Sequence, residues 1–276
     1  MELLRAAFLG LVQGLTEFLP VSSSGHLILV REALGWSLLA DPHLNKVFDV
    51  ALHAGTFLAL LAYFRADCLR LLRSFALSLR FGLAGDPERR LAWLIVLGTI
   101  PAAVAGVLAG DIIETRLGAP MLVAGQLIAF AFLLWLADWR GRRLRRLDQT
   151  SWADGLLVGC AQALALAPGV SRSGITITTG LALGLTRETA ARFSFLLSLP
   201  IVGGAALYSL AGLARGPAAL PQGSLPLFAV GTLAAVISGY LCIRFFLRYL
   251  QTHSLAPFVY YRLALGLLLL GYFGLR

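Results

Sequence analysis

Residues 13–26 read QGLTEFLPVSSSGH, and the reading of this stretch decides the fold. A Gln, a Glu, three consecutive serines and a His stand in an otherwise strongly apolar chain. Gly10, Gln13, Gly14 and Glu17 fall at i, i+3, i+4 and i+7, one face of a helix. Pro20 ends that helix, the serines make a turn, and a second short apolar helix runs over residues 25–36 to Gly35. The first helix, residues 3–19, has only about 14 residues ahead of its polar end, short of the ~20 that cross a bilayer. Two half-length apolar helices joined by a Pro–Ser–Gly turn predict a re-entrant hairpin. Such broken backbone is tolerated at membrane depth only where it is buried in protein or lines a cavity.

The totals agree with a membrane setting. Of 276 residues, 58% are hydrophobic and 13% charged, against about 25% charged in a soluble domain. The fold class is therefore an all-α polytopic membrane protein, with the bilayer as its first partner. The net charge of +9 comes from 22 Arg and a single Lys, Lys46, scattered through loops without basic–aromatic interleaving. That excludes nucleic acid as a partner and points to charge that orients the chain. Cys68, Cys160 and Cys242 have no CxxC spacing and suggest neither a disulfide framework nor a zinc site. Glu2 opposes Arg5 and Glu17 interrupts the apolar run, which argues against a cleaved signal peptide.

In chain order, a full span is expected at 47–64, then a basic amphipathic surface helix at 68–81. Spans follow at 91–112 and 119–138, and a basic loop at 139–150. A second short apolar pair, 152–167 and 173–185, breaks at Pro168-Gly169. Three spans close the chain near 189–213, 226–247 and 255–275. The basic loops 65–90 and 139–150 can share the cytoplasmic side, as can Arg187, Arg244 and Arg248. The N-terminus, residues 36–46, 112–118, 214–225 and the C-terminus then lie outside.

At an offset of 149, Gln13 meets Gln162, Ser22 meets Ser171, Ser24 meets Ser173, Gly25 meets Gly174, and Ala33-Leu34-Gly35 meets Ala182-Leu183-Gly184. Gly98-Thr99 also matches Gly231-Thr232, which alone would mean little. The expected organisation is one integral membrane domain built as an inverted repeat. Repeat 1 covers about residues 1–138 and repeat 2 about 151–276, each a hairpin plus three spans. Three spans are odd in number, so the halves are inverted and the hairpin tips meet near the midplane.

The two tips differ in chemistry: His26 is matched by Ile175, and Ser23 by Arg172. Each return helix begins at its tip, near Ser24 and Ser173, and a helix N-terminus carries roughly +0.5 charge that favours phosphate. An Arg at the bilayer centre costs about 2.5–3.5 kcal/mol, and a doubly anionic ligand would offset it. Structural roles compete: Glu17 could pair with Arg172 as a plain ion pair, and the serines could form only a turn and N-cap. Asp49 and His53, at i and i+4, form a supporting pair.

The quoted stretch resembles the first motif of the undecaprenyl-diphosphatase, or bacitracin-resistance protein, family: (E/Q)xxxE followed by serines and a His. PGVSRSGIT, residues 168–176, resembles its second motif, PGxSRSxxT. The resemblance extends over nearly the whole chain, FDVALHAGT included. It implies hydrolysis of undecaprenyl diphosphate to the monophosphate and inorganic phosphate, at a site open to the exterior of the bacterial inner membrane, with dependence on Mg²⁺ or Ca²⁺. Carried over, Glu17, Ser23, His26 and Arg172 are the catalytic positions, and Glu17 a metal ligand. Ser22, Ser24, Gly25, Ser171, Ser173, Gly174 and Thr176 are phosphate-binding, with Gln13, Asp49 and His53 in support. Gln13 replaces the Glu of many relatives and leaves a two-carboxylate metal site in doubt. Lipid phosphatases with a phosphatidic-acid-phosphatase signature share SSSGH- and SRSG-like pieces, but their last His is missing here.

Three nucleophiles stay open: Ser23 activated by His26 or Glu17, His26 itself, or water activated by Glu17. A polyprenyl-phosphate transporter or flippase is the rival class, since inverted repeats are transporter architecture. A homodimer is compatible with the sequence.

Overall fold

The computed structural model describes residues 1–36, 42–83, 85–215 and 224–274. Among the described residues eleven α-helices form: α1 (Glu2–Phe18), α2 (Ser23–Leu34), α3 (Pro42–Tyr63), α4 (Arg65–Phe81), α5 (Pro87–Leu117), α6 (Pro120–Arg140), α7 (Trp152–Leu164), α8 (Arg172–Ala182), α9 (Arg187–Arg215), α10 (Leu225–Tyr249) and α11 (Ala256–Gly274). No strand forms among the described residues. Among the described residues six helices are long and apolar enough to cross a membrane: α3, α5, α6, α9, α10 and α11. The protein is an all-α, multi-pass membrane protein. Of the external loops expected at 36–46 and 214–225, residues 37–41 and 216–223 lie outside the described residues, and 42–46 are the start of α3 rather than loop.

The short helices stop where local chemistry stops them. Leu19 is extended (φ −70°, ψ 146°), the conformation that the following Pro20 imposes. Gly35 closes α2 in the left-handed region (φ 59°), its N–H donating to the Arg31 carbonyl. Ser22 (φ 74°) and Ser171 (φ 71°), the residues just before α2 and α8, both hold positive φ without being glycine. Such conformations cost roughly 1–3 kcal/mol each and persist only where the surroundings fix them.

Two elements differ from expectation. The broken stretch in the second hairpin is longer than the sequence suggests: α7 ends at Leu164, four residues before Pro168, and α8 begins at Arg172. Helix α5 continues to Leu117 rather than 112, since no Pro or Gly stops it before Gly118. Helix α4 starts at Arg65, three residues before the expected 68, and exposes Leu69, Leu72, Leu79 and Phe81 while burying Ser74 and Ser78.

Each hairpin packs on a long helix from the opposite half of the chain. Helix α1 lies on α10, and α7 lies on α5. The crossings are glycine to glycine: Gly10 against the Gly231 carbonyl, and Gly159 against Gly98. A Cβ at either first glycine would collide with backbone, so the helices could not approach this closely with any larger residue. Under the first tip, Phe18, Phe64, Phe195 and Phe246 form a buried aromatic cluster, Phe18 meeting Phe195 edge-on at 5.4 Å. This cluster seats the C-terminal turn of α1, and with it Glu17. The second hairpin is tied at its base. The N–H groups of Leu144 and Arg145 donate to the Gly184 carbonyl, and Arg145 pairs with Asp154 in the first turn of α7.

Candidate functional site

The two tips meet. The Ser173 hydroxyl donates to the Leu19 carbonyl at 2.9 Å, which joins the start of α8 to the end of α1. Beside this junction lies a cavity of about 950 Å³. Gly110, Thr115, Gly118 and Ala119, where α5 stops and α6 starts, line part of it, and no residue of the two basic loops does. Glu17, Ser22, Ser23, Ser24, Ser171 and Arg172 line it, with Asp49 and His53 from α3.

Glu17 is the centre of the polar cluster and is only 8% exposed. One carboxylate oxygen, Oε1, accepts from Arg172 Nη2 at 2.6 Å. The other, Oε2, accepts from Ser23 Oγ at 2.6 Å and from Gln13 Nε2 at 3.0 Å. A buried charge of this kind is stable only when its lone pairs are filled this way. One turn of helix explains the Gln13 contact, since the two residues are four apart on α1. The Ser23 contact needs the Pro20 break, which folds α2 back over the end of α1.

Arg172 has a second terminal nitrogen beside the one bound to Glu17. Its Nη1 is buried without a protein partner, and so are both amide atoms of Gln162, which also lines the cavity. A buried unmade donor is costly, so groups of this kind mark a place for a ligand or ordered water. The two helix ends also differ. Ser171 Oγ caps α8 by accepting from Gly174 N–H at 3.1 Å, whereas α2 has no side-chain cap. The N–H groups of the first turn of α2 are thus the freer anion site.

The expected residues separate into two groups. Glu17, Ser22, Ser23, Ser24, Ser171, Arg172, Asp49 and His53 come together at the cavity, and Gln13 backs Glu17. Gly25, Ser173, Gly174 and Thr176 do not line it. Thr176 bonds to the Arg172 carbonyl and to Ser194 Oγ at 2.6 Å, inside the packing of α8 on α9. His26 also faces elsewhere. Its Nδ1 donates to the Ser22 carbonyl at 2.7 Å and its Nε2 accepts from the Tyr261 hydroxyl at 2.6 Å, the proton being assigned from these partners. The rings are stacked, 5.5 Å between centroids. The imidazole nearest the carboxylate is that of His53, with Nε2 3.7 Å from Glu17 Oε2 and Nδ1 held by the Asp49 carbonyl. Asp49 itself is held in a two-pronged ion pair with Arg31.

Sequence reading missed Tyr261 and Arg262. Both stand inside the last apolar span, where the charge of Arg262 is a functional signal by its cost alone, whereas the neutral Tyr261 gives no such signal. The cost argument that marks Arg172 marks Arg262 equally.

Fold and site together define a class: a multi-pass membrane protein with a serine, a carboxylate and an arginine gathered in a polar cavity between two broken-helix tips. The sequence pattern of the family described as "Bacitracin resistance protein BacA" matches residues 6–268. The chain belongs to that family. It is 50% identical over 273 residues to the undecaprenyl-diphosphatase of Geobacter sulfurreducens, covering 99% of this chain and 98% of the relative. It is 48% identical to undecaprenyl-diphosphatase 2 of Stutzerimonas stutzeri, covering 98% of each chain. Identity is also 48% to the undecaprenyl-diphosphatase of Rubrobacter xylanophilus, covering 97% of each.

Proposed function

We propose that this protein hydrolyses undecaprenyl diphosphate to undecaprenyl phosphate and inorganic phosphate, recycling the lipid carrier of cell-wall glycans. The observation that carries the reading is the Glu17 carboxylate, shared at 2.6 Å between the Ser23 hydroxyl and the Arg172 guanidinium. A hydroxyl on a carboxylate beside a cation is a nucleophile with its base and its phosphate ligand already assembled.

In this mechanism the diphosphate enters the cavity and takes up Arg172 Nη1 and the open N–H groups of α2. Ser23 Oγ attacks the terminal phosphorus while Glu17 Oε2 accepts its proton. The bond to the bridging oxygen breaks, and its electron pair leaves with undecaprenyl phosphate. The departing undecaprenyl phosphate takes the proton from Glu17 and so restores the carboxylate. Water then attacks the phosphoserine while Glu17 accepts its proton; the bond from phosphorus to Ser23 Oγ breaks, the seryl oxygen recovers that proton from Glu17, and inorganic phosphate is released. Arg172 and the helix end stabilise the charge that spreads over the phosphoryl oxygens.

A divalent cation fits this donor set in one form. Mg²⁺ is commonly held by one or two carboxylates plus substrate phosphates. Glu17 and the buried, unpartnered Oε1 of Gln13 would be the protein's share. Among the described residues no group of three or more His, Cys, Asp or Glu side chains gathers to hold an ion without substrate. When bound, Mg²⁺ or Ca²⁺ would neutralise phosphoryl charge.

The same reading puts the cavity toward the exterior of the bacterial inner membrane, supported by a lining that includes the α5–α6 turn and no residue of the arginine-rich loops. It also takes the chain as an inverted repeat. The exchanged packing, α1 on α10 and α7 on α5, supports that reading.

The test is phosphate release by the purified protein in detergent, given a polyprenyl diphosphate and Mg²⁺ or Ca²⁺. Release is expected, and binding without release would refute hydrolysis. A second measurement separates the two histidines. His26→Gln and Tyr261→Phe break one hydrogen bond from either side, so both are expected to lower kcat by a common factor of about 10–10². Loss of activity in His26→Gln alone would make His26 a reacting group.

A further inference from the structure

Arg262 is 0% exposed, six residues into α11. Its guanidinium donates to four carbonyls on three separate segments. Nε reaches Leu127 O of α6 at 3.2 Å, and Nη1 reaches Pro20 O in the first tip at 3.1 Å. Nη2 reaches Gly169 O at 2.9 Å and Val170 O at 3.1 Å in the second tip. Among the described residues no carboxylate bonds to it.

These tip carbonyls are what the helix breaks leave behind. Pro20 and Gly169-Val170 lie in the non-helical stretches between α1 and α2 and between α7 and α8, and their carbonyls face protein rather than water. The planar guanidinium carries five N–H donors in a fixed fork and serves several such acceptors at once. Lysine, a single point with three donors, cannot span the same set. A second observation points to the same contact. A Cβ added at Gly174 would lie 2.8 Å from Arg262 Nη1, so the glycine of SRSG is the space this guanidinium needs.

We propose that Arg262 is a positioning residue that docks the two tips against each other, in the register that puts Arg172 of one tip on Glu17 and Ser23 of the other. Its role in turnover rests on the reading of those three residues as the reacting centre. Arg262 touches none of them. It fixes the peptides two to three residues away on each side: Pro20 between Glu17 and Ser23, and Gly169-Val170 before Arg172.

The experiment compares wild type with Arg262→Lys, Arg262→Met and Gly174→Ala, each purified in detergent. Kinetics on a polyprenyl diphosphate are read alongside disulfide cross-linking of a Leu19→Cys/Ser173→Cys pair built into each background. Arg262→Lys and Gly174→Ala are expected to stay monodisperse and to lose about 10–10²-fold in kcat with KM within about threefold, the signature of a misplaced rather than unbound substrate. Tip cross-linking is expected to fall in the same variants. Gly174→Ala should cost little more once Arg262 is already Lys, because it acts through the same contact. If Arg262→Met does not fold, the other two variants carry the test. Unchanged kcat with unchanged cross-linking would overturn the proposal, and so would a loss confined to KM. Cross-linking needs no turnover, so a wild type inactive on the lipid would sink the proposed hydrolysis and leave the docking role decided by the cross-link.

Discussion

Glu17→Gln is expected to lower kcat about 10³-fold while leaving a folded protein, because it removes the base that takes the Ser23 proton. The amide keeps the size of the carboxylate and can still accept from Ser23 or Arg172, so packing next to Phe18 is retained. KM is expected to stay level or fall. In the resting site one guanidinium nitrogen of Arg172 is engaged by the carboxylate at 2.6 Å. Removing that negative charge frees the arginine for the diphosphate and ends the repulsion between substrate and carboxylate. Phosphate release at saturating lipid measures kcat, and its concentration dependence gives KM. The same assay separates base from metal ligand. Activity restored by tenfold more Mg²⁺ would make Glu17 chiefly a ligand. Activity that stays low at every Mg²⁺ concentration is the expected result.

Arg172→Ala is expected to be the more damaging substitution, since it harms both chemistry and stability. Glu17, 8% exposed, would lose its ion-pair partner inside the protein. Breaking a buried pair from one side typically costs about 3–5 kcal/mol. Thermal unfolding in detergent should therefore show a clear loss, and phosphate release should vanish. Arg172→Lys separates the two effects. It retains the charge beside Glu17 and so most of the stability, but one ammonium cannot hold the carboxylate and reach phosphate with a second, free nitrogen as Nη2 and Nη1 can. Its kcat is expected to fall by about 10²-fold, within the range seen on removing a single transition-state donor. Near-normal turnover in Arg172→Lys would show that the guanidinium fork is not needed.

Much of the architecture was legible because its signals are local. Six apolar runs of bilayer length became six candidate spans, and the first hairpin broke at its proline. The face Gly10, Gln13, Gly14 and Glu17 was readable from helical period alone. That reading was sound: the glycines contact α10 and the polar pair hydrogen-bonds across one turn. The boundaries in the second hairpin were less legible, because Ala165 to Val170 contains no single stop stronger than Pro168-Gly169, and the chain leaves the helix earlier.

Within the site, residue types announced the chemistry but not the pairing. Ser23, Glu17 and Arg172 could be named from the motifs. The sequence left the activation of Ser23 open between His26 and Glu17. The structure places the Ser23 hydroxyl on Glu17 and turns His26 to Tyr261, 235 positions away. Serines and threonines that look equivalent in SRSGIT also divide: Ser171 faces the cavity, while Ser173 and Thr176 serve the packing behind it. Sequence spacing cannot show this, since it depends on which face α8 turns toward α9.

The sequence by itself determined that the chain lives in a bilayer, where its helices break, and that Glu, Ser and Arg stand at those breaks. Hydrophobic period, proline and the cost of a buried charge are properties of short stretches, readable without a fold. Only the tertiary structure decided which carbonyl, hydroxyl and guanidinium meet. Glu17 and Arg172 are 155 residues apart, and their contact exists because α1 and α7 each cross a helix of the other half at glycine. Arg262, whose charge in an apolar span signals a role but names no partner, bonds to both tips because folding brings three tip carbonyls and the Leu127 carbonyl of α6 within reach of a single guanidinium.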